Sequence, residues 1–178
     1  MSCKEALIPN SIQFSPEQSV KDALRILEEH HIRLAPVVDT NGNLVGMFGL
    51  HSLMEDLLPM AAQIEDGLTD LDFMIGGAPG AAKKIRKIGP KLVKDHMDKE
   101  IAEIVLNPET PILEVIRMLT RNGSPLPVVE EDSMKYVGVV SEQSCLHRLH
   151  EILEEVEKEG QEKHEQIDHH QKPDDRAA

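Results

Sequence analysis

The sequence has few aromatic residues and few cysteines, and both shortages exclude whole classes of protein. Of its 178 residues, three are Phe, one is Tyr and none is Trp. Proteins that bind single-stranded nucleic acid by stacking bases need more aromatic faces than this. Cys3 and Cys145 are 142 positions apart, which fits neither a disulfide framework nor a paired metal motif. We therefore expect a protein of a reducing compartment and interpret it as cytoplasmic.

Long apolar runs and an excess of basic residues are also missing. The net charge is −13, from 19 basic and 32 acidic side chains. Because an acidic chain repels phosphate backbones, the sequence predicts no nucleic-acid partner. No apolar stretch approaches the roughly 18 residues that span a bilayer, and the first residues lack the basic and apolar segments of a signal peptide. We therefore expect no membrane partner.

The charge is unevenly distributed along the chain. Residues 151–178 carry ten acids and four bases, whereas residues 83–94, here named the basic segment, carry six bases and no acid. A run of this kind is interpreted as a solvated helix face, or as a contact for a phosphate-bearing ligand or an acidic tail. The two oppositely charged segments should attract each other, within one chain or across a dimer, over about one Debye length.

An internal repeat at an offset of 92 residues is the strongest signal in the sequence. In each copy a polar residue and a Pro precede apolar residues at i, i+3, i+4 and i+7, the pattern of an amphipathic helix. The apolar positions are Val20, Ala23, Leu24 and Leu27 in the first copy and Ile112, Val115, Ile116 and Leu119 in the second.

Two short strands and a closing helix follow in each copy. The runs 36–39 (Pro-Val-Val-Asp) and 127–130 (Pro-Val-Val-Glu) suit buried strands, and polar turns such as Asn41-Gly42 predict hairpins. The second strands are predicted at 44–48 and 136–140, and the closing helices from Ser52 to Leu58 and from Ser144 to about Glu157. Because one such unit buries too little apolar surface alone, the two copies should pack sheet against sheet.

The segment between the copies is expected to be helical, since a structureless loop of that length is uncommon in a compact domain. One helix or two short ones are predicted at Met60–Phe73 and another at Ala81–Ile88, with the glycine-rich stretch Gly76–Gly80 as a hinge. After Gly160 the chain is almost wholly polar. That tail is interpreted as disordered, or as a free helix that a partner orders.

The combination of a Pro-Val-Val-acid strand, a polar turn, a Gly-containing apolar strand and a polar cluster that opens a helix resembles the CBS domain, a family that occurs as tandem pairs. The resemblance implies an α+β fold in which two CBS domains, residues 7–58 and 92–157, pack as a pseudo-symmetric pair. It leaves a helical insertion at 59–91 and a polar, disordered tail at 158–178. Since pairs of the family usually associate as flat dimers through helical faces, it also implies a homodimer.

The resemblance implies a regulatory role and a ligand. The family binds adenosine nucleotides in clefts between its two domains, so AMP, ADP or ATP is the expected ligand, and signalling to an unidentified protein partner would occur by a conformational shift. The chain is not expected to be an enzyme, because it has no Gly-x-Ser-x-Gly, Walker loop or His-Glu-x-x-His motif. Its nine histidines match no zinc spacing, so no metal site is predicted.

The family pattern Gly-apolar-x-Thr/Ser-x-x-Asp/Asn supplies a hydroxyl for phosphate and a carboxylate for ribose. The matching residues here are Gly49 and Ser52 in the first copy and Gly138, Ser141 and Ser144 in the second. Neither copy keeps the carboxylate, and only the second keeps the hydroxyl. Loss of a charged hydrogen-bond partner costs about 1.5–3 kcal/mol, so the second cleft is the better candidate.

Two further residues are assigned to the candidate nucleotide site, and several alternatives stay open. Pro127 opens the second Pro-Val-Val strand, and Arg33 precedes the first, where it could reach a phosphate or pair with a surface acid. Ser52 and Ser144 could instead be helix N-caps. A structural or protein-interaction module whose clefts have lost nucleotide binding is therefore the second interpretation. Cys145, at a helix start, is either a favoured thiolate or a buried structural cysteine.

Overall fold

The computed structural model describes residues 1–57 and 77–170, and it contains two copies of a helix–strand–strand–helix unit. The expected α+β fold with two repeats is confirmed. The first repeat contains α1 (Val20–Glu29), β1 (Leu34–Val38), β2 (Leu44–Gly49) and α2 (Leu50–Leu57). The helix α3 (Gly77–Ile88) follows. The second repeat contains α4 (Ile112–Asn122), β3 (Leu126–Val129), β4 (Tyr136–Val140) and α5 (Glu142–His170).

The first helix of each repeat buries the apolar stripe that the sequence predicts. Ser19 caps α1, because its side-chain oxygen accepts a hydrogen bond from the backbone N–H of Asp22 at 3.1 Å. Within these two helices the fully buried residues are Val20, Ala23 and Leu27 on α1 and Val115 and Leu119 on α4.

Each repeat contains the predicted antiparallel hairpin, β1 with β2 and β3 with β4. In the first turn Asp39 Oδ1 accepts hydrogen bonds from the backbone N–H groups of Asn41 at 2.8 Å and Asn43 at 2.9 Å. Gly42 in the same turn has φ +80°, a left-handed conformation that glycine adopts without steric cost. The Asn-Gly turn therefore folds as its sequence indicates.

The segment that precedes each repeat lies on the other repeat. Ile8 pairs antiparallel with Val139 of β4, and Asp98 pairs antiparallel with Met47 of β2. Both pairs exchange two backbone hydrogen bonds, at 2.8 and 3.1 Å for the first and 2.9 and 2.8 Å for the second. This reciprocal exchange of backbone pairs ties the two repeats together, and the domain boundaries at residues 7 and 92 stay predictions.

The two sheets also share an apolar cluster, as the duplication predicts. Leu44 and Met47 of the first repeat pack with Ile101 and Val129 of the second, and all four are buried. The hairpins pair directly as well, since the N–H of Leu44 donates to the carbonyl of Met134 at 2.8 Å. The relative position of the repeats is thus fixed by both burial and backbone hydrogen bonds.

The closing helices differ from the predicted bounds. Both begin two residues early, α2 at Leu50 and α5 at Glu142. The predicted end near Glu157, and a disordered tail from residue 158, are wrong up to His170, where α5 ends. Glu, Lys and Gln favour helix, and extending an existing helix costs far less than nucleating one. Residues 158–170 are thus helical as the last part of α5, ordering of the tail by a partner stays a prediction, and residues 171–178 lie outside the described residues.

The described part of the insertion is the helix α3. The helix predicted at Ala81–Ile88 is confirmed, but α3 already begins at Gly77. The hinge predicted at Gly76–Gly80 is therefore wrong from Gly77 onward. Pro79 is compatible with this start because it lies in the first turn, where backbone N–H groups have no partner within the helix. The helix predicted at Met60–Phe73 lies outside the described residues.

Within residues 1–57 and 77–170, no helix is both long enough and apolar enough to cross a membrane.

Candidate functional site

A cleft of about 480 Å³ lies where the N-terminal segment, the first repeat and the start of α5 meet. That volume is within the range of about 300–1,000 Å³ that is common for small-molecule sites. Its lining divides into apolar and polar halves. The apolar side chains are Ile8, Ile12, Ile32, Leu34, Pro36, Pro125 and Val139, and the polar ones are Ser11, His31, Arg33, Ser124, Ser141, Glu142 and Gln143.

Gly138 allows the N-terminal segment to form one wall of this cleft. A Cβ atom at Gly138 would lie 2.4 Å from the carbonyl oxygen of Ile8, closer than any real contact of that kind. The absence of a side chain therefore lets Ile8 pair with Val139, and both residues line the cleft. Gly138 itself is not among the lining residues, so its contribution to the site is through the backbone.

Ser141 and Ser144 hold the first turn of α5 by a reciprocal pair of hydrogen bonds. The backbone N–H of Ser144 donates to Ser141 Oγ at 3.1 Å, and that of Ser141 donates to Ser144 Oγ at 3.0 Å. This is the geometry of a capping box. The N-cap of α5 is therefore Ser141, and the alternative that Ser144 is the N-cap is wrong. Because the Ser141 hydroxyl accepts this bond, its own proton is available to a group in the cleft.

The matching residues of the first repeat, Gly49 and Ser52, are not among those that line this cleft. A Cβ atom at Gly49 would lie 2.4 Å from the carbonyl oxygen of Arg33, so a serine or threonine cannot take that position without moving backbone. Ser52 is the third residue of α2, which begins at Leu50, so the alternative that Ser52 is an N-cap is also wrong. Neither position therefore supplies a hydroxyl to the cleft.

The structure brings together only part of the predicted site. Arg33 and Ser141, from different repeats, both line the cleft. Pro127 does not line it; this residue is buried in β3, and its carbonyl oxygen accepts the N–H of Leu106 at 2.9 Å. Its counterpart in the first repeat, Pro36, does line the cleft, as does Pro125.

Two lining residues that carry or can carry charge were missed by the sequence reasoning. Glu142 is the first residue of α5 and directly follows Ser141. His31 also lines the cleft and has φ +53°, a left-handed conformation that is uncommon outside glycine. Glu142 could have been noticed as an acid two residues before Ser144, the position of the missing carboxylate. No sequence signal marks His31, because it reaches the cleft through its left-handed backbone conformation, and no residue pattern predicts that conformation.

Both cysteines are buried in the core of the second repeat. Burial, with a smaller contribution from the neighbouring Cys145, raises the pKa of the Cys3 thiol to about 11. Burial also raises the pKa of Cys145. Cys145 is thus the buried structural cysteine and not a favoured thiolate. Among the described residues, no three His, Cys, Asp or Glu side chains are grouped so that they could hold a metal ion.

Comparison with known families gives two matches along the chain. The family model of the CBS domain matches residues 3–59 and 93–151. These two segments contain the two repeats together with the segments that they exchange.

The sequences of two curated proteins match this chain over most of its length. The A-adding tRNA nucleotidyltransferase of Aquifex aeolicus (strain VF5) is 30% identical over 145 residues, which cover 78% of this chain and 13% of that protein. The chloroplastic CBS domain-containing protein CBSX2 of Arabidopsis thaliana is 29% identical over 145 residues, with 80% of this chain and 60% of that protein covered. The chain therefore spans less than two thirds of the length of either relative.

Solved structures show the same fold. A crystal structure of CBSX2 in complex with AMP has a TM-score of 0.62 and 26% identity, and the match covers 85% of this chain and 98% of that chain. A CBS domain-containing protein of unknown function from Bacillus anthracis has a TM-score of 0.63 at 16% identity, covering 85% and 94% of the two chains. At 16% identity, the match to the Bacillus anthracis protein shows a similarity of fold alone.

Proposed function

The chain belongs to the CBS-domain family, and we propose from this premise that it is a regulatory module that binds an adenosine nucleotide in the cleft between its repeats. The observation that carries the proposal is the meeting of Ser141, at the N-terminus of α5, with Arg33 of the other repeat in one cleft. The complex of the relative CBSX2 with AMP supports the choice of an adenosine ligand.

The polar half of the cleft suits a phosphate group. The N-terminus of α5 carries a partial positive charge, and the Ser141 hydroxyl can donate its proton to a phosphate oxygen. The guanidinium of Arg33 supplies a full positive charge from the facing repeat. The base would then lie against the apolar half, between Ile8 of the N-terminal segment and Pro36 of β1.

Glu142 is assigned to the ribose. The family's carboxylate position is Ser144 here, and the Ser144 hydroxyl is occupied in the cap of α5. Glu142 lines the same cleft two residues earlier, and a carboxylate accepts hydrogen bonds from two hydroxyl groups at once. Its negative charge also opposes a long phosphate chain, so AMP should bind more tightly than ATP.

Signalling follows from the fact that the cleft is built from both repeats. A ligand that contacts Arg33 on one side and Ser141 on the other binds best at one relative setting of the repeats. It shifts the population toward that setting by its difference in affinity for the two states. A protein partner would respond to that shift.

Isothermal titration with AMP tests the proposal on a pair of serine variants. Ser141→Ala and Ser144→Ala each remove one hydroxyl of the same cap, but only Ser141 lines the cleft. We expect Ser141→Ala to weaken AMP binding by about tenfold or more, and Ser144→Ala to change it little. Arg33→Gln, whose side chain is exposed, should weaken binding without affecting the cap.

The proposal fails if AMP binds equally well to the wild-type protein, to Ser141→Ala and to Arg33→Gln. Circular dichroism of all variants separates loss of a ligand contact from loss of the helix. If Ser144→Ala weakens binding as much as Ser141→Ala does, the effect belongs to the cap and the assigned hydroxyl contact is wrong.

A protein-interaction module without a nucleotide is the second candidate. It is favoured by the close approach at Gly49, which excludes a phosphate-binding hydroxyl from the first repeat, and by the use of Ser144 in the helix cap. Thermal-shift measurements with AMP, ADP, ATP, S-adenosylmethionine and cyclic dinucleotides separate the two. A ligand at 100 times its dissociation constant stabilises by about 2.7 kcal/mol, and no shift with any of them would favour the interaction module.

A further inference from the structure

The basic segment carries six bases and no acid, in a chain where acids outnumber bases 32 to 19. Two of these bases have partners. Lys94 Nζ donates to Glu17 Oε1 at 2.9 Å, and Lys84 Nζ donates to the carbonyl oxygen of Leu57 at 3.2 Å. The side chains of the others are exposed and form no ion pair or hydrogen bond within residues 1–57 and 77–170; they are Lys83, Arg86, Lys87 and Lys91.

The helix α3, which contains most of these bases, is fixed on the first repeat. Ile88 at its end is buried in the first core, together with Val20 and Leu27 of α1. The backbone N–H of Val20 also donates to the carbonyl oxygen of Lys91 at 2.9 Å, and that of Lys21 donates to Gly89 at 3.0 Å. A partner that binds the outward surface of α3 therefore meets a preorganised helix, which lowers the entropic cost of binding.

Three cations of α3 lie on one side of the helix. Lys83, Arg86 and Lys87 are separated by three and four positions, so they lie on successive turns of one surface, here named the basic face. Ala82 and Ile85 are three positions apart beside Arg86, and both are exposed, Ile85 by 42%. The outward surface of α3 thus has a row of cations next to a short apolar row.

The cations of the basic face repel each other. Like charges three or four positions apart on a helix are unfavourable, and Lys83 has such neighbours in both Arg86 and Lys87. The helix dipole favours Arg86 and Lys87, because they lie in the last turn, but it does not favour Lys83 in the turn before. Since the basic segment contains no acid of its own, a bound group of negative charge would relieve the repulsion.

The pattern of side chains on α3 favours an acidic helix over other anionic partners. A helix that lies on a membrane needs a broad apolar side, and Ile85 is the only large apolar side chain exposed on the described part of α3. Stacking on nucleic-acid bases needs aromatic rings, and α3 has none. In contrast, acids on successive turns of a helix can match the cations turn by turn, and apolar residues beside them can cover Ile85.

We propose that the basic face of α3 is a docking site for an acidic amphipathic helix of another protein. Acids on successive turns of that helix pair with Lys83, Arg86 and Lys87, and its apolar side packs on Ala82 and Ile85. None of these five residues lines the candidate cleft, so docking does not depend on nucleotide binding. The insertion then attaches the module to its partner, and the cleft between the repeats binds the ligand.

Fluorescence anisotropy tests this site with a labelled synthetic peptide of about 20 residues, or about 30 Å of helix, with Glu on successive turns beside a row of Leu. One variant carries Lys83→Gln, Arg86→Gln and Lys87→Gln. The matched variant carries the same changes at three exposed bases elsewhere, Lys99→Gln, Arg121→Gln and Lys158→Gln. Both lose three positive charges, so their net charges are equal. At low salt the first should bind the peptide about tenfold more weakly than the wild type, and the second less than about twofold more weakly.

Further measurements examine the apolar row and the cleft. Ile85→Gln should weaken binding of the peptide by about threefold, whereas Leu113→Gln on α4, where the side chain is 78% exposed, should not. A peptide of the same composition with its acids distributed around the helix should bind more weakly than the patterned one. Binding should weaken as salt is raised, since exposed ion pairs are screened, and saturating AMP should not displace the peptide. Circular dichroism should show equal helix content in all variants.

Several results would each overturn the proposal. A wild-type protein that does not bind the patterned peptide at low salt has no such site, and equal affinities of the two triple variants show that the basic face is not the contact. Displacement by AMP places the peptide in the cleft. Vesicles of anionic lipid, or RNA, that bind through the same three cations more tightly than the peptide does identify another class of partner. If neutralising the basic face changes the sedimentation coefficient of the protein alone, that face is covered by another copy of the chain.

Discussion

Replacing Gly138 by alanine should loosen the strand exchange that builds the candidate cleft. The added Cβ would lie 2.4 Å from the carbonyl oxygen of Ile8 and 3.0 Å from a methyl group of Leu7. A backbone atom cannot rotate away, so the N-terminal segment has to shift. The two hydrogen bonds between Ile8 and Val139, at 2.8 and 3.1 Å, are then weakened. Each contributes about 1 kcal/mol, and with the lost packing of Leu7 the destabilisation should be about 2–4 kcal/mol.

The assay is thermal unfolding combined with titration of AMP. At this chain length about 1 kcal/mol lowers the midpoint by roughly 2–4 °C, so Gly138→Ala should lower it by about 4–16 °C. Gly46→Ala is the matched variant in the other repeat, where the Cβ would lie 2.6 Å from the carbonyl oxygen of Asp98. It should destabilise the fold to a similar degree. Only Gly138→Ala should also weaken AMP binding, because Ile8 lines the cleft.

Gly80→Ala is the control for the substitution itself. Gly80 lies in α3, and a Cβ there would meet no atom within 4 Å, so alanine should stabilise by up to about 1 kcal/mol. The reasoning is refuted if Gly138→Ala unfolds at the same temperature as Gly80→Ala. Equal loss of AMP affinity in Gly138→Ala and Gly46→Ala would show that the effect on binding is one of general stability.

Two further predictions concern titrating groups. Because the folded pKa of Cys3 is about 11, above the usual value of about 8.5, the stability that it contributes is complete below pH 8 and is lost as the pH rises through 11. A Cys3→Ser variant should therefore show a shallower alkaline decline, and both thiols of the wild type should react with a disulfide reagent at pH 8 only on unfolding. Hydrogen bonds from the backbone N–H of Asn43 and Asn41 lower the pKa of Asp39, so its contribution is present above about pH 4 and is lost as the pH falls through the folded pKa. In urea unfolding, Asp39→Ala should be less stable than the wild type at pH 6, and the difference should shrink below pH 4; a constant difference would contradict this.

The sequence alone was sufficient for the repeat, its elements and the fold class. Local patterns carried that information, because the spacing of Val20, Ala23 and Leu27 determines which side of a helix is apolar, and Asn41-Gly42 selects a hairpin turn. It was less reliable at helix ends. Ser144 is a good helix-capping residue by type, but the reciprocal bonds with Ser141 show that the cap lies three residues earlier.

Only the tertiary structure decided how the candidate site is assembled. Arg33 and Ser141 are 108 positions apart in the sequence. Ile8, which directly precedes the first repeat, reaches the same cleft by pairing with Val139 of the second repeat. Similarly, the family pattern predicted Gly138 as a site residue. In the structure, a glycine is needed at this position because a Cβ atom would lie 2.4 Å from the carbonyl oxygen of Ile8. Contacts between segments far apart in the chain depend on which surfaces pack together, and no local pattern of residue types records that choice.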